Sequence, residues 1–391
     1  MFKVAVGHGI DPDSLGAIAE AIEQCQQTLA GDIPQAGILV AAIDFDHASI
    51  LKYVRQVYPD LILVGGTSVG EMSSTMGFQE DSLSLMLFCS DEVTFSAGMG
   101  RGVSKDTAAA ATAAIETATT THQHAVSDIK LCYTLCEGLA VDGADLVTSL
   151  RHATGQRVPI FGGLTGDDYR FEHTYQFFGT DVLEDTVVVL TFFGKLKVSF
   201  GVGTGQKPIG KKAIATKSIG NTLYEIDEKP TKRFYEPYFG EQEVRLYSGT
   251  TFSGPLAVYE PGAHNFYVRT PTGESNGDGS VDYFGSIPEG STLQITDSDC
   301  ESLIQSAQDA FSKAKFAYPG TTPSAVIMNS CVSRMKNLGT QVDQEHQVIA
   351  DIAGKNLPNM GFYAYGEISP FTRSEGSHFH NETFTALLIG T

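Results

Sequence analysis

The 391-residue sequence is short of cysteine, short of positive charge and without a long apolar run, and each shortage excludes something. Six cysteines over this length are too sparse for a disulfide framework, and most lie in apolar segments where a small hydrophobe serves, which points to a reducing compartment. Cys132 and Cys136 have C-x3-C spacing but no second ligand pair nearby, so buried thiols are favoured over a zinc site. With 46 acidic against 26 basic side chains the formal charge is −20, which argues against a surface made to bind DNA, RNA or anionic lipid. No stretch approaches 18 consecutive apolar residues, and residues 1–6 begin like a strand rather than a signal segment. The expectation is a soluble cytoplasmic protein whose partners are small molecules and other proteins, with no nucleic acid, no membrane insertion, and a homodimer left open.

What the chain does have is repetition. An apolar run followed by a glycine-acid turn occurs at residues 61–71 (Gly65, Gly66, Gly70, Glu71), 158–167 (Gly162, Gly163, Gly166, Asp167) and 361–367 (Gly366, Glu367). Gly66 and Gly163 stand 97 positions apart, and the third turn falls about three such intervals after the first. Apolar spacing predicts helices over 13–29, 47–57, 106–118, 143–152, 298–313 and 344–354, the first started by Asp11-Pro12. Strands are expected at 2–6, 38–43, 61–64, 83–88 and 93–97 for a first unit, and at 129–135, 158–161, 186–193 and 197–202 for a second. A third unit takes 292–295, 325–329, 361–365 and 383–389. Residues 206–287 break the pattern with turn-rich segments between short strands. The fold class expected is α/β with mixed sheets, built from repeated strand-helix-strand-helix-strand units, rather than an all-parallel barrel. A boundary near 205–220 gives two domains, 1–210 and 211–391.

Several motifs invite chemistry. Gly66-Thr67-Ser68-Val69-Gly70 matches G-x-S-x-G after a strand, but residues 73–77 make a poor helix, so the nucleophile-elbow reading of Ser68 is disfavoured. The runs at 98–102 and 201–205 are glycine-rich without being G-x-G-x-x-G, and strand ends needing positive φ are the favoured account. Near the carboxy end, Cys331-Val332-Ser333-Arg334, Tyr363-Ala364-Tyr365-Gly366-Glu367 and residues 377–383 fall on a strand-helix-strand frame that would bring them to one pocket. His378 and His380, at i and i+2, share a strand face, although two histidines alone do not make a zinc site.

At these residues the chain resembles the FIST sensory family, with an amino-terminal FIST domain followed by a carboxy-terminal one. The carriers are residues 65–71, residues 220–227 with Lys229-Pro230, Ser330-Cys331-Val332-Ser333-Arg334, and residues 361–367 followed by His380-Asn381-Glu382-Thr383. The resemblance implies a ligand-sensing signal-transduction module rather than an enzyme, with small ligands such as amino acids. It also implies work with a histidine kinase, a chemoreceptor or a cyclic-di-nucleotide enzyme. In length and architecture the chain is similar to the nitric-oxide-sensing members, which bind b-type haem and regulate a partner histidine kinase. On that reading His378 or His380 holds the iron, with His264 next and Cys331 as a thiolate alternative; the lack of C-x-x-C-H makes any haem noncovalent. The alternative is a non-haem sensor with an amino acid or similar metabolite between the two domains, Arg334 meeting a carboxylate and Glu367 an ammonium group, with Tyr365 and Asn381 as further contacts. The third reading is a serine hydrolase at Ser68.

Overall fold

Strand and helix alternate three times in the same order. The first unit comprises β1 (Phe2–Gly9), α1 (Ser14–Leu29), β2 (Ala36–Ala42), α2 (His47–Val57), β3 (Ile62–Ser68), a short hairpin of β4 (Glu71–Ser73) and β5 (Gly77–Gln79), and β6 (Leu83–Ser90). The second repeats it as β7 (Val93–Arg101), α3 (Thr107–Thr120), β8 (Ile129–Cys136), α4 (Gly143–Thr154), β9 (Ile160–Leu164), the hairpin β10 (Gln176–Phe178) and β11 (Asp181–Leu183), and β12 (Thr186–Gly194). The third opens with β13 (Lys197–Gly203) and is interrupted by an insertion. That insertion holds β14 (Lys207–Ile219), β15 (Thr222–Ile226), β16 (Lys229–Pro230), α5 (Lys232–Phe239), β17 (Leu256–Tyr259), β18 (Tyr267–Arg269), β19 (Val281–Asp282) and β20 (Thr292–Asp297). The unit resumes with α6 (Cys300–Ala317), β21 (Ala325–Cys331), α7 (Val332–Leu338), α8 (Val342–Ala353), β22 (Asn359–Ala364), the hairpin β23 (Gly366–Pro370) and β24 (Ser377–His380), and β25 (Phe384–Gly390). These elements come from a computed structural model that describes residues 1–121, 124–239, 254–263, 265–273, 275–354, 356–373 and 375–391.

The hairpins do not stay in their own sheets. In strand order the three six-stranded sheets are β1-β6-β2-β3-β10-β11, β7-β12-β8-β9-β23-β24 and β13-β25-β21-β22-β4-β5. Each unit supplies four strands, with its second and third strands parallel, and sends its hairpin to pair antiparallel with the third strand of a neighbour. Unit one gives its hairpin to unit three, unit three to unit two, and unit two to unit one. This cyclic exchange corrects one expectation. Residues 93–97 and 197–202 do not close the first and second units; as β7 and β13 they open the second and third. Residue 210 falls inside β14, and the sheets tie residues 71–79 to β22 and residues 366–380 to β9, so main-chain pairing joins the two ends of the chain.

Both faces of each sheet are covered, which is why the strands read as almost continuous apolar runs. One central core gathers the inner faces of all three sheets, including Val40, Phe88, Tyr133, Phe161, Ile327 and Phe362. The opposite faces pack on helices: Leu39, Leu63 and Leu87 against α1 and α2, Val187 and Ile160 against α3 and α4, and Met328 and Leu388 against α6 and α8. The insertion has a separate core around Leu223, Tyr235, Tyr283 and Leu293. Five helix starts share one device. Asp13, Asp46, Asp106, Asp142 and Asp299 each accept a hydrogen bond from a backbone N–H in the first turn, so Asp13 rather than Asp11-Pro12 caps the first helix.

The glycine-rich runs have a packing cause, not a turn cause. A Cβ on Gly7, Gly98 or Gly201, each in the first strand of its unit, would lie 1.9, 2.0 or 1.9 Å from a helix carbonyl oxygen, of Ala21, Ala114 and Ala310 respectively. The next glycine but one, Gly9, Gly100 and Gly203, meets the same helix one turn earlier at Ala17, Ala110 and Ser306. Within the two runs only Gly102 and Gly205 have positive φ. The G-x-G spacing therefore lets the first helix of each unit lie directly on its strand. A Gly201→Ala variant should lose about 2–3 kcal/mol in chemical denaturation, whereas Gly273→Ala, with open space around it, should stay within about 0.5 kcal/mol.

Candidate functional site

The hairpin exchange places one polar side chain at the same register in each sheet. Glu71 stands opposite Phe362, Gln176 opposite Gly66 and Glu367 opposite Gly163, at the carboxyl ends of the parallel strand pairs where α/β sheets carry ligands. The structural counterpart of Glu71 and Glu367 is thus Gln176, not Asp167, because residues 167–175 form an extra loop before β10. Each of the three bonds to the residue at the start of its unit's last strand: Glu71 to Ser82, Gln176 Oε1 to the Thr186 N–H, and Glu367 to Thr383.

The first cluster is sealed. Glu71 is fully buried and accepts hydrogen bonds from Ser68 and Ser82, and burial pushes its carboxyl up to about 8. Ser82 Oγ lies 2.8 Å from Nε2 of His8, whose Nδ1 is 2.7 Å from Ser73 Oγ, and burial holds this imidazole neutral with its pKa down to about 4. The hydroxyl of Ser68 is engaged by Glu71 and the residue is 1% exposed, while His8 reaches Ser82 instead. The elbow geometry that the G-x-S-x-G pattern suggested does not form.

The third cluster is different because it borders open space. Glu367 Oε2 accepts from the Thr383 hydroxyl at 2.6 Å and N–H at 3.2 Å, and its other oxygen, Oε1, is left among the unpartnered buried atoms. The Cys331 thiol lies beside this carboxyl. Glu382, also fully buried, accepts from Thr270 Oγ1 at 3.2 Å and from Gln206 Nε2 at 3.3 Å. Burial pushes Glu367 up to about 8 and Glu382 to about 7, and drives the Cys331 thiol well above its ordinary value, with both carboxyls adding to the effect. In front of them is a recess of about 10 Å³. Cys331, Ser333, Thr270 and Asn381 supply its polar lining, and Phe171, Phe284 and Tyr365 its aromatic walls. Asn381 is 1% exposed and its Oδ1 has no partner. A second cleft of about 270 Å³ adjoins it, sharing Phe284 and Tyr365 and running along residues 138–143 to Asn221 and Thr272.

The extra loop closes over the recess. Asp167 accepts from the N–H groups of Phe171, Glu172 and His173 at 3.0, 2.7 and 3.0 Å, and from the Tyr365 hydroxyl. Asp168, Tyr169 and Phe171 are held at φ of 56°, 59° and 53°, a left-handed conformation that non-glycine residues adopt at a cost. Phe171 stacks on Tyr365 with ring centroids 5.0 Å apart, and Tyr169 hydrogen-bonds the Val332 carbonyl at 2.9 Å.

Of the residues singled out in the sequence, Cys331, Tyr365 and Asn381 line one recess and Glu367 lies directly behind it. Arg334 does not face it. All five of its donors are used internally: Nε and Nη2 on Glu345 Oε1 at 2.9 and 2.5 Å, Nη2 also on the Leu303 carbonyl, and Nη1 on the Thr204 carbonyl and Ser306 Oγ. The expected meeting of Arg334 with a ligand carboxylate is corrected accordingly. His378 and His380 share a face of edge strand β24, with ring centroids 6.2 Å apart. His380 is fully buried, its Nε2 lies 2.9 Å from the Ser369 carbonyl, its Nδ1 is unpartnered, and burial takes its pKa down to about 3. Phe371 packs edge-on against His380 with ring centroids 4.9 Å apart, so a macrocycle on this imidazole would require that ring to move. His264 lies outside the described residues. Phe171, Thr270, Phe284 and Ser333 were missed as site residues. Ser333 and Glu382 sit in quoted motifs, but Phe171, Thr270 and Phe284 come from loops with no periodic or motif signal.

Two variants check this arrangement. Arg334→Met, which leaves Glu345 charged and buried, should cost about 3–5 kcal/mol in equilibrium unfolding. Glu71 has its folded pKa above its ordinary 4.5, so its contribution is complete below pH 4.5 and is lost as pH rises through 8. Glu71→Gln should therefore gain stability relative to wild type as pH is raised from 5 to 9, measured by urea midpoints.

Comparison with known proteins agrees with this architecture. The FIST N domain family matches residues 35–229 and the FIST C domain family residues 233–370. An uncharacterized protein of Mycobacterium bovis is 24% identical over 386 residues, covering 96% of each chain, and an uncharacterized protein of Methanocaldococcus jannaschii is 27% identical over 197 residues. The match takes in 45% of this chain but only 36% of the Methanocaldococcus protein. Among solved structures, the cyanuric acid hydrolase from A. caulinodans is similar at a TM-score of 0.40 and 8% identity, covering 100% of this chain and 99% of that one. PurLQS from Thermotoga maritima is similar at 0.24 and 11%, covering 100% of this chain and 72% of that one. Neither likeness is close enough to bear on chemistry. With both matches spanning most of its length, the chain belongs to the FIST family, whose domains are sensor domains of signal transduction.

Proposed function

We propose that this chain senses a small molecule at the recess between the second and third units, and that binding is reported by the loop at residues 167–173. The observation that carries this reading is Asn381: a buried amide whose oxygen has no partner, on the lining of a recess roofed by a strained loop. A volume of about 10 Å³ holds no more than a water. A ligand in the adjoining cleft reaches Asn381 when Phe171 leaves Tyr365, and that movement releases the left-handed residues of the loop. Ligand energy is thereby coupled to a surface loop, as a two-state sensor requires. The partner is a signalling protein in the cytoplasm, a histidine kinase or a cyclic-di-nucleotide enzyme. Among the described residues no helix is long and apolar enough to cross a membrane.

The haem and nitric oxide reading keeps one favourable feature, the neutral His380 with its buried, unpartnered Nδ1. Bound haem would supply a gas-binding iron there once Phe371 and His378 had moved aside.

The chain contains no tryptophan, so Phe171→Trp gives a single indole reporter on the loop. In a metabolite screen at a hundredfold excess over Kd, the ligand should raise Tm by about 3 °C and shift the indole emission, and Asn381→Leu should abolish both responses. A ligand that stabilises the protein while the indole emission stays unchanged and Asn381→Leu binds normally would overturn the reading. A Soret band from stoichiometric haem, lost in His380→Ala, would favour the haem version instead.

A further inference from the structure

Several acceptor oxygens around the recess have no partner: Oδ1 of Asn381, a lining residue, and Oε1 of Glu367 behind Cys331, with Oε1 of Gln206 also unpartnered beside Glu382. Two buried carboxyl groups, Glu367 and Glu382, lie one side chain deep behind Cys331 and Thr270. Arg334 has spent every donor on Glu345, Ser306 and main-chain carbonyls, and Arg269, next to Thr270, donates to the Ser286, Val268 and Phe379 carbonyls. The ammonium of Lys336 is held over the Tyr169 ring at 3.9 Å. The walls are the aromatic side chains of Phe171, Phe284 and Tyr365, with Phe171 stacked on the other two. Unfilled acceptors, buried carboxyls and aromatic walls together ask for a positively charged nitrogen donor, and nothing on the lining offers a ligand carboxylate a free cation.

Resting on the sensor reading above, we infer that the ligand is a small organic cation, an alkylammonium or alkylguanidinium group without a recognised carboxylate, whose N–H donors reach Asn381 Oδ1 and whose charge is met by Glu367 and Glu382. In the free protein burial keeps Glu367 largely protonated at neutral pH and Glu382 about half protonated. Around Glu367 the Cys331 thiol and His380, opposite it on β24, are neutral, and Arg334, though paired with Glu345, lowers both carboxyls without cancelling the effect of burial. Arrival of a cation favours the ionised carboxylate, so a proton leaves to solvent as the ligand enters. Binding therefore strengthens as pH rises, by about tenfold per pH unit below 8 for each proton released.

The test uses the full chain carrying Phe171→Trp, titrated at constant ionic strength with n-butylammonium and methylguanidinium, and with 1-pentanol and pentanoate as neutral and anionic counterparts. The cations should shift the indole emission saturably and bind about a hundredfold more tightly at pH 8 than at pH 6. Glu367→Gln should flatten that dependence, and Asn381→Asp, on the lining itself, should tighten cation binding. Binding of 1-pentanol or pentanoate in preference to the cations, or a pH dependence unchanged in Glu367→Gln and no gain in Asn381→Asp, would overturn the ligand class while leaving the recess as the sensing site. Failure of these probes and of a broad panel of neutral and anionic metabolites to shift the emission would remove the site itself.

Discussion

Everything in this molecule depends on the third strand of each unit being completed by a hairpin from another unit. A parallel strand pair such as β2 and β3 leaves one edge of β3 unsatisfied, and an open edge in the middle of a protein leaves backbone N–H and C=O groups without partners. Here β10 fills that edge, β23 fills the edge of β9, and β4 fills the edge of β22. Because the donations run in a circle, no unit can complete its sheet alone. The bond between the Ser74 N–H and the Asn359 carbonyl spans 285 positions of sequence, so the ends of the chain are committed to each other by main-chain pairing.

The same constraint makes the polar clusters. A hairpin that crosses to a neighbour must turn sharply at the carboxyl end of its strand, and the first residue after the turn points to where the parallel strands end. Three repeats put three side chains there, and they have diverged in chemistry while keeping their register. Glu71 is locked in by Ser68, Ser82 and His8; Gln176 has an amide in place of the carboxyl and ties Thr165 to Thr186; Glu367 retains a free oxygen and a thiol neighbour. The third cluster is fronted by a recess. There the insertion contributes Thr270 and Phe284 and the lengthened turn of the second unit contributes Phe171. The recess is thus a product of the two places where the repeat is broken.

Much of the fold was legible because its signals are local. Helices such as His47–Val57 follow from apolar spacing and an aspartate cap, and the strands from apolar runs of the right length. The threefold repetition shows in the glycine turns themselves. Unit boundaries were displaced by one strand, since β6 and β7 are both apolar and nothing in either says that β7 pairs with β12. The glycine runs at 98–100 and 201–203 looked like turns because glycine reports that a side chain is forbidden without saying whether backbone angle or a neighbouring helix forbids it.

For the candidate site the division is sharper. The sequence by itself determined that Cys331, Tyr365, Glu367 and Asn381 are chemically unusual residues at strand ends, and that one α/β unit is used three times. Only the tertiary structure decided that Gln176 rather than Asp167 matches the two glutamates, that Arg334 is consumed by Glu345, and that Phe171, Thr270 and Phe284 complete the recess. The physical reason is that periodicity and turn chemistry act over a few residues and leave a trace in composition. Pairing between segments hundreds of positions apart is chosen by which backbone edges remain unsatisfied, and that choice leaves no local mark.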